Sequence, residues 1–340
     1  MLSGVGAVAA QETPDSDGEA EPETETGEVI RISCRDDQNR PASWLDRTHS
    51  YLSERLCEPA AWFDGFFGDP RAAEETPIGS FFRVRNSLRW DESEDFSHDV
   101  RVSANISLPR VSDRVRLLIS RDESIEGELG QGDNRDDDRD EQTRLGLRFV
   151  LTDFGRTQLD VDGTVKVSSG GLNPRARGRG RHTWGLTDTT QARFTQTVFW
   201  EREDGVGTSS RADWEWLPSS KSLVRLTGRG TVSEGSDGVD WRAALVGFRQ
   251  LNRRTAIRSE IGAFGHTQPE RVTEEYFVNF RFRRSFLRDW LFYELQPEYA
   301  WPVDEATGER GSDLRFIFTL EIQFENAAAV DEDIDHYRGR

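Results

Sequence analysis

The chain has 340 residues, only 35% of them hydrophobic, a formal net charge of −18 and a mean hydropathy of −0.71. No segment approaches the apolar run of a transmembrane helix, and the acidic balance argues against a nucleic-acid partner. Yet 10 Trp and 20 Phe in so polar a chain need an apolar place to go.

Residues 1–10, MLSGVGAVAA, read as the remnant of a signal peptide: a short apolar stretch, then small residues before Gln11. Residues 11–28 hold eight acids and no base and read as a disordered acidic linker. Residues 29–78 differ. Pro41 suits a helix start, and Trp44, Leu45, Leu52 and Leu56 give a rough helical stripe up to Pro59. Trp62, Phe63, Phe66 and Phe67 then cluster in a Gly-containing turn region. This is the pattern of a small helical segment that docks on something apolar. Cys34 and Cys57 are the two cysteines; in an exported chain a disulfide is the expected state, and their surroundings do not suggest a metal site.

From about residue 79 the periodicity becomes two, the signature of β-strands. Phe82, Val84, Leu88 and Trp90 lie opposite Arg83, Arg85 and Arg89. Val100, Val102, Ala104 and Ile106 oppose Arg101, Ser103 and Asn105; Val115, Leu117 and Ile119 oppose Arg114 and Arg116. Residues 122–141, with ten acids against two Arg, form a long solvated loop. Leu145, Leu147, Phe149 and Leu151 oppose Arg144 and Arg148, and Leu159, Val161 and Val165 oppose Asp160, Asp162 and Lys166. The run PRARGRGRHTW at 174–184 puts Arg175, Arg177, Arg179 and Arg181 on one face; strand and basic loop are its two readings, and parity with the flanking strands favours the strand.

Farther on, Phe194, Val198 and Trp200 oppose Arg193 and Thr195, and Trp214 and Trp216 oppose Asp213 and Glu215. Val224 and Leu226 oppose Arg225 and Thr227. Around Trp241 to Phe248 the facing is ambiguous, as a bulge would make it. Ile257 and Ile261 oppose Arg258 and Glu260; Tyr276, Val278 and Phe280 oppose Asn279, Arg281 and Arg283; Leu291, Tyr293 and Leu295 oppose Glu294, Gln296 and Glu298. The last strand, LRFIFTLEIQF, sets Leu314, Phe316, Phe318, Leu320, Ile322 and Phe324 against Arg315, Thr319, Glu321 and Gln323. The expected fold is therefore all-β: a transmembrane antiparallel β-barrel of about 14 strands over 79–324, lipid outside and a polar lumen inside. Residues 29–78 become a periplasmic extension on its rim or a plug within it. An acidic tail, 325–340, follows.

At the level of class, residues 80–324 resemble bacterial outer-membrane β-barrel proteins. The resemblance implies residence in the outer membrane, contact with its lipid, and assembly by the barrel assembly machinery, which reads a last strand ending in an aromatic. Ile322 and Phe324 match that signal's terminal positions. Thr319 and Ile317 depart from it, and so does the tail that follows.

With apolar faces toward lipid, the lumen is lined by Arg on nearly every strand: Arg83, Arg85, Arg101, Arg116, Arg144, Arg148, Arg175, Arg177, Arg179, Arg181 and Arg281, with Glu294 and Glu298 among the opposing acids. The leading expectation is a porin-like pore for small solutes, anions among them. The alternatives are a structural or plugged barrel stiffened by Arg–carboxylate pairs, and an outer-membrane enzyme acting on lipid or peptide. None of His49, His98, His182, His266 and His336 sits in a familiar catalytic motif, and no phosphate loop, metal cluster or dinucleotide fingerprint is present, so no cofactor is expected.

Overall fold

The computed structural model describes residues 59–60, 62–67, 79–92, 95–107, 115–120, 143–154, 156–168, 171–202, 205–304 and 307–327. Cys34, Cys57, the acidic linker and residues 328–340 of the tail lie outside the described residues. Fourteen strands follow one another: β1 (Gly79–Asp91), β2 (Asp95–Ser107), β3 (Val115–Ser120), β4 (Thr143–Phe154), β5 (Thr157–Ser168), β6 (Gly171–Thr187), β7 (Thr190–Glu201), β8 (Gly205–Ser219), β9 (Ser222–Ser233), β10 (Asp240–Asn252), β11 (Thr255–His266), β12 (Val272–Phe286), β13 (Arg288–Pro302) and β14 (Asp313–Ala327). Each is antiparallel to its sequence neighbours. β1 also pairs with β14, from Gly79 opposite Ala327 to Asp91 opposite Arg315, so the sheet closes into a barrel. Closure leaves no sheet edge, which a strand structure in hydrocarbon requires.

β6 takes in the whole basic run at 174–184 and pairs along its length with β5 and β7. β14 continues past Phe324 to Ala327, so the barrel includes the first residues assigned to the tail. At one end the strands turn tightly, as between Thr187 and Thr190, Ser219 and Ser222, and Asn252 and Thr255. The other end carries the long 121–142 connection. Both β1 and β14 have their outer termini at the tight-turn end, which is the periplasmic end of such barrels.

The two faces are inside-out relative to a soluble protein. Outward side chains are large, apolar and exposed: Leu88 49%, Leu151 51%, Val198 54%, Leu226 50% and Ile261 53%. A belt of this kind far exceeds the apolar patch that a soluble monomer shows to water. Rings mark its two margins. Trp290 stacks on Phe324 at 5.3 Å near the tight turns, and Tyr299 meets Trp301 edge-on at 4.7 Å near the opposite end. Inward side chains are charged and buried, Arg281, Arg283, Glu215, Glu260, Glu275 and Glu321 almost completely.

β10 accounts for the sequence ambiguity at 239–250. No bulge interrupts it: Asp240 to Arg249 stay in unbroken register with β9, and the register shift to β11 falls only at Gln250 and Asn252, in the turn. Three successive inward residues are apolar instead, Ala244, Val246 and Phe248 all being buried. With Leu217, Leu223, Ala256 and Phe292 they form an apolar patch on an otherwise charged wall.

Candidate functional site in the barrel lumen

The helical residues 59–60 and 62–66, with the turn at Phe67, cover that patch. Phe63 lies 5.3 Å and Phe67 5.7 Å from Phe248, ring to ring, and Phe66 meets Phe292 edge-on at 5.6 Å. Phe63 and Phe67 are 1% and 2% exposed. A buried Phe is worth roughly 1.5–3 kcal/mol in transfer alone. The short helix therefore gains its stability from the wall, because so few residues do not hold a helix in water. Asp64, on the same turn, accepts at Oδ2 from Nη2 of Arg225 on β9 at 2.9 Å. Arg225 also holds Glu215 at 2.5 Å, so one guanidinium ties the helix to two strands.

Above and around this seat the wall is a ladder of charge. Arg177 forks onto Asp162 (2.8 Å) and Arg179 onto Asp160 (3.0 Å), the pairs lying directly across β5 and β6. Arg148 approaches both carboxylates, at 3.5 and 3.8 Å. Arg144 and Arg175 share Glu201. Arg181 bonds Gln158, and Arg101 bonds Asp99. Arg116 is buried directly opposite Arg148. Across the seam, Arg83 (3.1 Å) and Arg85 (3.0 Å) on β1 and Arg283 (2.8 Å) on β12 converge on Glu321 of β14. Arg281 and Arg283 also meet Glu294. Glu298 joins Glu275 and Asp313 around Arg315. All thirteen charged residues singled out from the sequence for the lumen thus occupy inward register positions.

Sequence reasoning missed the hub at Arg315, the carboxylate of Glu275 and the anchor Asp64. For Glu275 the signal was present: it shares parity with Asn279 and Arg281. For Asp64 there was none, since its partner lies 161 positions away. Like charges also face each other in register: Arg85 with Arg101, Arg144 with Lys166, Arg211 with Arg229, and Arg258 with Arg281. Directly opposed like charges destabilise a sheet. Carboxylates, by contrast, mostly face Arg. The β8–β14 wall is close to balanced, whereas the wall formed by β1–β7 is rich in guanidinium.

His98 is outward and meets Asn86 at 3.2 Å, His182 meets Thr157 at 2.6 Å, and His266 meets Glu274 at 2.6 Å. His49 and His336 lie outside the described residues. Ile322 and Phe324 point outward, Phe324 resting between Trp290 and Phe82.

A closed antiparallel barrel with an apolar belt outside, rings at its margins and charge inside is a transmembrane β-barrel of the bacterial outer-membrane type. No protein-family model matches the chain, and no curated protein sequence is similar to it. Among solved structures it is similar to the outer membrane channel DcaP of Acinetobacter baumannii (9% identity, TM-score 0.46, 72% of this chain and 96% of that one). It is also similar to a loop-deletion form of OmpT, an outer membrane protein of Vibrio cholerae (13%, 0.42, 73% and 100%), and to the KdgM porin (6%, 0.36, 71% and 99%).

Proposed function

We propose that the protein is an outer-membrane channel for small solutes, selective for anions, whose periplasmic mouth is closed by residues 59–67. Arg in register with Arg or Lys is the observation that carries the selectivity. A barrel that only needed stiffening would be served by alternating charges, and the excess of guanidinium on β1–β7 attracts anions into a narrow polar conduit. In planar bilayers under a salt gradient, the open channel is expected to reverse at a potential favouring anions. Arg116→Gln with Arg144→Gln should move that potential toward cations; an unchanged potential in the double variant contradicts the reading. Arg177 and Arg179 are poorer targets. Their removal frees Asp162 and Asp160, so it combines loss of a cation with exposure of an anion.

The plugged-barrel reading also has its own observation, the helix on its apolar seat. The two readings describe one molecule if the helix leaves. We read the lipid of the outer membrane and the barrel assembly machinery as its partners, with no nucleic acid. Ile322 and Phe324 are the residues we assign to the assembly signal. Phe324→Ala removes a ring stacked on Trp290 at the belt margin and is expected to lower the folded fraction recovered from outer membranes several-fold. Assembly at the parent level in that variant rules out the assignment.

A further inference from the structure

Buried atoms without a hydrogen-bond partner occur along the ladder, and five of them belong to one group of residues around Glu260. Glu260 on β11 is 2% exposed. Its Oε2 takes Arg258 Nη2 at 2.7 Å and Asn279 Nδ2 at 3.5 Å. Its Oε1 has no hydrogen-bond partner among the described residues, and neither do Asn279 Oδ1, Arg258 Nη1, Arg242 Nε and Arg242 Nη2. Arg242 Nη2 stops 3.8 Å from Oε1, beyond a hydrogen bond. Two acceptors and three donors therefore gather round one carboxylate, on neighbouring strands β10, β11 and β12. Buried polar atoms left in this way are costly unless something meets them.

The arrangement is built to hold Arg242 where it is. Its guanidinium lies over the rings of Phe277 at 4.7 Å and Phe264 at 5.6 Å. Between Arg242 and the level of Glu260, the wall narrows to Ala244 opposite Gly262. A Cβ at Gly262 would come within 2.6 Å of the Phe277 ring and 2.9 Å of the Ala243 carbonyl oxygen, so glycine lets that ring lie flat beneath the arginine. The stacked face is occupied. The edge left over, Nε with Nη2, is the fork that receives a carboxylate in two parallel hydrogen bonds.

The geometry points to a lumenal binding site for a small carboxylate that carries a hydrogen-bond donor on the adjacent carbon. The carboxylate takes the Arg242 fork with Arg258 Nη1. The neighbouring hydroxyl or ammonium donates to Glu260 Oε1 and Asn279 Oδ1. The shared chemistry covers α-hydroxy acids and α-amino acids. The site lies next to the helix seat, since Arg258 stands 5.8 Å from the ring of Phe248. It refines the solute class of the channel reading and rests on that reading only for how the solute arrives.

Isothermal titration of the refolded full chain in detergent tests the site without requiring conduction. The probes are glycolate, glycine, acetate and ethylene glycol. At least one of glycolate and glycine is expected to bind saturably and about tenfold more tightly than acetate, a ratio equivalent to one hydrogen bond to a charged group. Which of the two binds better separates the hydroxy-acid from the amino-acid source. Ethylene glycol is expected to give no saturable heat. Arg242→Gln should abolish binding of all three carboxylates. Asn279→Ala, a milder change that keeps the ion pairs, should shrink the preference over acetate. Acetate binding as tightly as the other two, or no saturable heat from a folded barrel, overturns the site. Binding by the parent with no conductance even from the Phe63→Ala, Phe67→Ala variant would sink the channel reading and leave the site standing, and conductance from that variant without binding by the parent would do the reverse.

Discussion

Replacing Phe63 and Phe67 together by alanine is expected to convert a channel that is mostly silent in planar bilayers into one that is mostly open. Both rings are buried against Phe248 in the apolar seat. A buried Phe→Ala change costs about 3–5 kcal/mol. Here the cost falls on the docked state, because the barrel keeps its own strands and pairs. A shift of even 3 kcal/mol changes the docked-to-undocked ratio by roughly 150-fold, enough to turn rare openings into a standing population. Asp64→Asn should act in the same direction more weakly, since Arg225 retains Glu215. The measurement is open probability in single-channel records. Equal records from the parent and the double alanine variant would refute the plug. A continuously open parent would do so as well.

Glu321→Gln is expected to be the most destabilising single isosteric change in the wall. Its carboxylate is fully buried and is shared by Arg83, Arg85 and Arg283. The neutral amide leaves three guanidiniums crowded without their common counterion. Breaking a buried pair in this way costs about 3–5 kcal/mol. The effect should appear as an earlier midpoint in urea unfolding of the refolded barrel, followed by heat-modifiable gel migration. Asp289→Asn is the control. Its pair with Arg254 lies at the tight-turn end with both side chains more than half exposed, and such pairs contribute little. Similar midpoints for the two variants would remove the seam network from the account of stability.

Most of the fold was legible because a barrel in lipid encodes itself locally. Every second residue faces hydrocarbon, and the last strand shows it with Phe316, Phe318 and Leu320 against Arg315, Thr319 and Glu321. Even the weakly hydropathic β6 could be placed, because Arg175 to Arg181 keep parity with the strands on either side. The same parity sets Arg177 and Arg179 opposite Asp162 and Asp160. What could not be read was where on the wall the helix is seated. Val246 and Phe248 look like outward residues until Phe63 and Phe67 are set against them, and parity alone then suggests a bulge that does not exist. The spare fork of Arg242 was equally hidden. Its state depends on Phe264, Phe277 and Gly262, which come together only across β11 and β12.

The helix that fills the seat is joined to β1 by residues 68–78. At about 3.3–3.6 Å per residue that link can pay out to at most about 40 Å. On the proposed plug reading, a stopper on so short a leash is never lost to bulk solution, and its local concentration near the seat remains in the millimolar range. Reclosure is therefore intramolecular and insensitive to how much protein is present. A free peptide copying residues 59–67 would need comparably high concentrations to compete for the mouth.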